Sequence, residues 1–388
     1  MRIGVPAIES DRGRVTWSVP VAGVPGAPTR LWFTVPGEHA ALLTHLADPA
    51  VIGLLVPAMH AGAAMTVDGP VTDEVVFGLT HGYQHVMEAV IPELRPIGIE
   101  AGAQAAAREP APGVATGFSA GIDSFAVVAE HLSPAIPDEL RLTHLVFFNV
   151  GAMTGGAAGR RRFERMRTRL APSAERLGLP FVPVDSNLDD FFPFAGFVQT
   201  HGPRNLSAAS LLQGGIGRFL YASTHPFARV SVGRSHSTAY SDPISMPLLE
   251  TTAFRPRFHG SRYTRAEKTT IVAGLGESHQ SLHVCTTLTA DGSNCSRCSK
   301  CLRTQLTLEL IGQLGSYGRV FDLEVYEQLR RGFLDEVAHS RDPHLVELRE
   351  FARETGFRLP PAGAGFLRHG LRRLERKSGV LRGRLAGG

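Results

Sequence analysis

Two groups of residues in this chain have the types and spacing to do chemistry. The first is Val114-Ala115-Thr116-Gly117-Phe118-Ser119-Ala120-Gly121-Ile122-Asp123-Ser124. An apolar run enters a turn of small residues, and a helical pattern leaves it. At such a junction unpaired backbone N–H groups and the helix dipole converge on one point, which makes an anion site. Phe118, Ser119, Ala120, Gly121, Ile122, Asp123 and Ser124 are therefore the candidate phosphate cradle. Ser119 and Ser124 add hydroxyl donors. Asp123 repels a phosphate, so its expected task is to hold the loop or to coordinate a Mg²⁺ ion that bridges phosphates. The second group is Cys285, Cys295, Cys298 and Cys301, the four cysteines of the chain. Four thiolates suit tetrahedral Zn²⁺, and a closed all-cysteine site is structural. An iron–sulfur cluster also accepts four cysteines; its usual mark is a proline after the last one, whereas Leu302-Arg303 follow Cys301. Gly292 and Asn294 permit the bend before the last three cysteines, and Arg297, Lys300 and Arg303 would offset the thiolate charge. His279 and His283 are expected to be structural, because four sulfurs already fill the shell.

The elements that must position these groups follow from the apolar rhythm. Val15–Val19 and Leu31–Val35 read as short antiparallel strands, and Val75–Val90 has helical spacing. Ala105–Gly113 is the expected linker. From Val114 strands and helices alternate: a helix over Ile122–Leu132, a strand over Leu142–Val150, and a basic helix over Arg160–Leu177. A strand over Phe181–Val184, a helix over Leu206–Ala222 and a strand over Ala228–Val232 follow. This alternation predicts a doubly wound parallel sheet. A further helix over Thr264–Leu275 has Thr264 as N-cap. The expected domains are a β-rich region (1–112), a nucleotide-binding domain carrying the four-cysteine zinc insert (113–320) and a helical extension (321–388). Arg204, in the polar cluster Gln199–Asn205 expected to precede a helix, is a candidate phosphate or carboxylate contact. Gly233, Arg234 and Asp242, after the last predicted strand, are candidate substrate contacts, with Asp242 a possible second Mg²⁺ site. Asn149, at the end of a strand, is a candidate nucleotide contact. Arg265 and Lys268 place cations at a helix start, against the dipole, which hints at an anionic partner.

The loop resembles the Ser-Gly-Gly-x-Asp-Ser signature of the PP-loop ATP pyrophosphatases, with Ala120 in place of the first glycine. That alanine is tolerable if its φ is negative and costly if it is positive. Together with the C-x9-C-x2-C-x2-C-L-R spacing, the chain looks like a divergent, enlarged relative of the 7-cyano-7-deazaguanine synthase family over residues 114–312. Tyr263–Glu267 resembles that family's Thr-Lys-Ala-Glu helix start, and Gly276 falls where that helix ends in a glycine. Val232–Pro243 resembles its substrate loop but lacks the Cys and Arg found there. The resemblance implies an adenine nucleotide alpha-hydrolase-like fold, ATP with Mg²⁺, and structural Zn²⁺. It implies a ligase that adenylates a carboxylate or amide oxygen, releases pyrophosphate, and lets ammonia or an amine displace AMP, giving an amide or nitrile. Asp123, Arg204, Arg265 and Lys268 would carry the catalysis, the last three by neutralising pyrophosphate.

The remaining expectations concern partners and place. At 43% hydrophobic and 20% charged, the chain can build a core, which excludes disorder over most of its length. No run approaches the ~20 apolar residues of a membrane span, and the first twenty residues lack the apolar core of a secretory leader. Four clustered cysteines suit a reducing, cytoplasmic setting. A net charge of +4 gives no general case for nucleic acid. Arg368, Arg372, Arg373, Arg376, Lys377, Arg382 and Arg384 form a basic tail, read as a solvated helix with a docking arm as the alternative. The acceptor is a carboxylate-bearing small molecule, a deazapurine by resemblance, or a protein or peptide; a second copy of the chain is a further candidate partner. Sulfur transfer and a non-catalytic nucleotide-binding scaffold remain open alternatives.

Overall fold

A computed structural model describes residues 1–360 apart from 25, 106–107, 154, 286–288 and 290–292. The basic tail and Gly292 lie outside the described residues. Two compact units divide the chain, Met1–Tyr263 and Thr264–Gly388. No described helix is long and apolar enough to cross a membrane.

The first unit holds one sheet of eleven strands among the described residues: β1 (Arg2–Ile3), β2 (Ala7–Asp11), β3 (Arg14–Ala22), β4 (Arg30–Pro36), β5 (Met65–Thr72), β6 (Ile99–Ala105), β7 (Gly113–Gly117), β8 (His144–Phe148), β9 (Phe181–Ser186), β10 (Ile216–Ala222) and β11 (Arg255–His259). Its helices are α1 (Asp48–Ala61), α2 (Asp73–Gly78), α3 (Gln84–Val90), α4 (Ile122–His131), α5 (Gly156–Arg176), α6 (Phe197–Ser210) and the short α7 (Asp242–Ser245). A π-helical turn, Leu79–Tyr83, joins α2 to α3.

The strand order is β11-β10-β7-β8-β9-β4-β3-β1-β5-β6, with β2 paired to β3. The block from β11 to β9 is parallel. β7, β8 and β9 are buried along almost their whole length, which is why their sequences read as unbroken apolar runs. Phe147 of β8 stacks on Phe163 of α5 at 5.2 Å, while Phe148 meets Phe219 of β10 at 5.9 Å, so successive residues serve opposite faces. α5 keeps its arginine-rich face largely exposed, as its sequence predicts.

Three expectations change in the first unit. The helix placed over 206–222 is two elements: α6 ends at Ser210, and Ile216–Ala222 is strand β10. Gly214 and Gly215 break the helix, and any Cβ on either would collide with Leu42 or Leu43. Residues 228–232 form no strand; a short 3₁₀ turn over Phe227–Arg229 leads into an irregular loop, and β11 is the strand that extends the sheet. The β-rich residues 1–112 do not stand apart: β4 pairs antiparallel with β9 (Phe33↔Ser186, Thr34↔Asp185), so the expected boundary at 112 falls inside the first unit.

α1 is apolar on every side, so it is buried all round. Its Asp48 carboxylate is satisfied by the Thr72 N–H (2.9 Å), the Thr72 hydroxyl (3.1 Å) and the Gln213 amide (3.1 Å). α1 packs on α6 at Gly53, where a Cβ would fall 2.5 Å from Ser207 Oγ.

The second unit contains α8 (Arg265–Ala273), α9 (Ser278–Ser281), α10 (Ser299–Leu310), α11 (Leu323–His339) and α12 (Pro343–Glu354). Its core includes Leu306, Tyr326, Phe333, Val337 and Leu348. The expected boundary at 320 falls inside this unit, because the helical extension shares that core with α10. Thr264 caps α8, as predicted, and does so in a capping box with Glu267; the helix ends at Ala273 with Gly274, not Gly276, in the capping position.

Candidate phosphate corner and metal centre

From β7 the chain builds β8 and β9 on one side, then crosses by α6 to β10 on the other. The strand order therefore reverses between β7 and β10, and in open α/β sheets ligands bind outside the carboxyl ends of the strands at such a point. Residues 117–124 lie there. Phe118 donates its N–H to Val146 O (2.7 Å) and packs edge-on against Phe125 at 5.2 Å, anchoring the turn from below. Gly121 is the N-cap of α4 and has no side chain to fill the cap. The first helical N–H groups thus keep the outward aim that suits an anion. Ser119 is exposed; Ser124 is buried and donates to Gly121 O at 3.0 Å, with the two hydroxyls 3.5 Å apart. Asp123 is half-buried in the first turn.

Ala120 has φ of +55°. An alanine holds the left-handed backbone that glycine adopts freely, at a cost of about 1–2 kcal/mol. The turn keeps a glycine-type path without the glycine.

Asn149 lies just past the end of β8, the strand beside β7, and is locked in place: its amide donates to Asp185 Oδ1 (2.6 Å) while Ser186 Oγ donates to its carbonyl (2.7 Å). Arg204 differs from expectation. It sits within α6 rather than before it, is wholly buried, and binds Asp189 Oδ1 (2.5 Å), Ala195 O (3.1 Å) and Val150 O (3.3 Å) with its carbon 3.7 Å from the Phe192 ring centre. Burial pulls its guanidinium down to about 10 against the pull of Asp189. Its carboxylate partner is the protein's own. Gly151, with φ of +120°, leaves room for it: a Cβ there would fall 2.2 Å from Arg204 Nη1.

Gly233 and Arg234 are exposed in the irregular loop. Asp242 is not: it is 1% exposed at the start of α7, in a cluster the sequence did not bring together. His201 Nδ1 lies 2.9 Å from Tyr221 Oη and 3.5 Å from Asp242 Oδ2, and His201 Nε2 lies 3.3 Å from Thr238 Oγ1. Asn205 donates to Tyr221 Oη at 3.0 Å. Burial pushes Asp242 well above the usual carboxylate range, opposed by a hydrogen bond from the Thr238 side chain, and burial with the Arg204 charge pulls His201 down to about 4. The 41-residue separation of His201 and Asp242, on different elements, left no sequence signal for this pairing.

In the second unit, the Sγ atoms of Cys285, Cys295, Cys298 and Cys301 all lie within 4.8 Å of one another. Pair distances are 3.9 Å (285–298), 4.0 Å (295–301) and 3.5 Å (298–301). Four sulfurs at about 2.3 Å from a tetrahedral ion are about 3.8 Å apart, so the cluster fits one metal ion. The Cys295 N–H points at Cys285 Sγ (3.4 Å) and the Cys298 N–H at Cys295 Sγ (3.3 Å), which stabilises thiolate charge. Asn294 fixes the approach by accepting from Val284 and Cys285 and donating to Leu282 and Val320 carbonyls. Ser296 turns with φ of +57°. His279 binds Ala273 O (3.0 Å), a structural contact as expected.

Arg265 and Lys268 belong to this unit, and Lys268 is buried. Glu347 takes the Arg265 and Ala266 N–H groups (2.7 and 3.3 Å) at the start of α8. A cleft beside them is lined by Arg265, Lys300, Arg303, His344 and Glu347.

No protein-family model matches the chain, and no curated protein or solved structure matches it either.

Proposed function

We propose that the chain is an ATP-dependent C–N bond-forming ligase that binds Mg·ATP at residues 117–124. It adenylates a carboxylate or amide oxygen, releases pyrophosphate, and passes the activated carbon to ammonia or an amine. The observation that carries this reading is the small-residue strand-to-helix corner at the point where the sheet order reverses. Ala120 in a glycine-type conformation supports it, since local backbone strain of this kind is found at ligand-binding turns. ATP supplies the phosphoanhydride energy and the adenylyl group. The chain's part is to hold the phosphate tail with backbone N–H groups and Ser119, and to carry Mg²⁺ on Asp123; this is positioning and charge neutralisation rather than acid–base chemistry.

Zn²⁺ held by the four cysteines is proposed as a structural ion. All four cysteines of the chain lie in that cluster, so none is left to carry a persulfide, which favours a nitrogen nucleophile over sulfur transfer. The test is calorimetric titration with a non-hydrolysable ATP analogue and Mg²⁺, followed by pyrophosphate release from ATP with a panel of carboxylic acids and ammonium. Saturable binding that falls at least tenfold in Ser119→Ala and Asp123→Asn is expected. No binding by the wild type overturns the reading, and binding without pyrophosphate release from any acceptor would leave a nucleotide-binding scaffold.

A further inference from the structure

A chain of hydrogen bonds at the end of α4 has more places for hydrogens than two neutral histidines can fill. His131, the last residue of α4, has Nδ1 2.8 Å from Leu140 O and Nε2 3.1 Å from His259 Nδ1. His259, the last residue of β11, has Nε2 2.6 Å from Glu130 Oε2. A carbonyl only accepts, so His131 Nδ1 carries a hydrogen. An ionised carboxylate only accepts, so His259 Nε2 carries another. Each neutral imidazole has a single hydrogen. With both spent, two bare nitrogens would face each other at 3.1 Å, so a third hydrogen must lie between the rings.

Three groups could bring it. Glu130 is not the one: its Oε1 accepts from Arg262 and from the Tyr263 hydroxyl (2.7 Å). Burial would raise its carboxyl, but the bonds from Tyr263, His259 and Arg262 together hold it below the usual carboxylate range, so it is ionised. His131 is only 5% exposed, and burial pulls its imidazole down against the opposing Leu140 bond. That leaves His259, which is partly exposed and touches the carboxylate. The other charges nearby are engaged elsewhere or stand in solvent. Arg262 is exposed, with its carbon 4.5 Å from the Tyr263 ring centre. In the turn that offers Leu140 O, Asp138 pairs with Arg141 (2.9 Å), Glu139 is exposed, and Arg218 of β10 donates to Glu139 O (3.0 Å). On β11, Arg257 is held by Glu250, and Arg255 stands four residues back along the strand. A cation beside the last turn of α4 is also favoured by the helix dipole.

We propose that His259 is an imidazolium at neutral pH, and that it clasps the end of α4 to β11 until rising pH removes its proton. The imidazolium donates from both nitrogens, to Glu130 and to a neutral His131, and each contact in the chain then has one donor and one acceptor. Without that proton the two ring nitrogens meet lone pair to lone pair, and the end of α4 parts from the strand. The folded chain thus keeps a proton that an ordinary imidazole gives up above about 6.5. The clasp is intact below that value and is lost as pH rises beyond it. All of these residues belong to the first unit, and α4 begins at the 117–124 corner, so the helix that carries the corner is pH-sensitive at its other end. The clasp does not depend on what the corner binds, and its test uses no nucleotide.

Full-length protein labelled with ¹⁵N in its histidines is followed by long-range ¹H–¹⁵N correlation from pH 6 to pH 10, the His259 ring being identified by its loss in His259→Gln. At pH 7.5 an ordinary imidazole is about nine-tenths neutral. His259 is expected to stay mainly doubly protonated there, with His131 neutral and its hydrogen on Nδ1. Glu130→Gln removes the facing charge and should leave His259 mainly neutral at the same pH. Hydrogen exchange read by mass spectrometry needs no variant to fold. Protection over residues 128–142, corrected for the intrinsic rate, should fall at least tenfold in the wild type from pH 7 to pH 9, and His259→Gln should not show that fall. A neutral His259 at pH 7.5 in the wild type overturns the proposal. So does a second hydrogen found on His131 instead, or wild-type protection that is unchanged between pH 7 and pH 9.

Discussion

Ala120 and His201 show how single residues hold conformations or charge states that cost free energy. Ala120 is buried with a left-handed backbone. Glycine there should be tolerated, with stability changed by no more than about 1 kcal/mol, because relief of strain offsets the lost methyl. Valine, β-branched, should lose about 2 kcal/mol or more. Urea denaturation of the two variants checks both signs. His201 is held neutral by burial, down to about 4 from an ordinary 6.5. Between those values the unfolded chain binds a proton that the folded chain refuses, so stability rises with pH across the window and falls on acidification. His201→Gln should flatten the drop between pH 6.5 and 4 by up to about 3 kcal/mol. Asp242 works in the opposite sense, its folded value being raised, so the difference between wild type and variant is the quantity to measure.

Helices and strands were legible where their pattern was local. β7, α4, β8, α5 and β9 announced themselves as apolar runs alternating with helical spacing, and the N-cap at Thr264 was visible as well. α1 was not, because fourteen residues that are apolar all round and contain Pro57 show no period to read. The α6–β10 break was missed because apolar residues continue on both sides of the glycine pair. The strand-to-helix corner at 117–124 and the cysteine cluster were readable from spacing, whereas the Asp242 cluster draws on α6, β10, α7 and the turn at Thr238, which only folding brings together. The α1–α6 contact offers a test at this scale. Gly53→Ala places a methyl 2.5 Å from Ser207 Oγ, and overpacking of about 1–3 kcal/mol should exceed the about 0.5–1 kcal/mol gained in helix propensity. A net loss of about 1–2 kcal/mol by thermal unfolding is expected.

At the scale of the whole molecule, the two units stand on different supports. The first rests on one broad sheet and an extensive apolar core. The second has a smaller core built by α10, α11 and α12, and a bound ion would add cross-linking to it. Cys298→Ser should therefore drop bound zinc from about one ion per chain to near none. It should also make residues beyond 264 the first to be cut by protease, while the sheet unit stays resistant. Metal analysis alongside limited proteolysis checks both.

The seam between β4 and β9 has a practical consequence. Asn187 stitches it from the side, accepting from the Trp32 N–H (2.9 Å) and donating to Arg30 O (2.8 Å). Anyone who trims the chain at residue 112 to isolate the 117–124 corner would strip the outer flank from β9 and bare its backbone at Asp185 and Ser186. Such a fragment would add neighbours strand by strand and precipitate. The opening hundred residues are thus a built-in guard against fibrous self-association, whatever else they do.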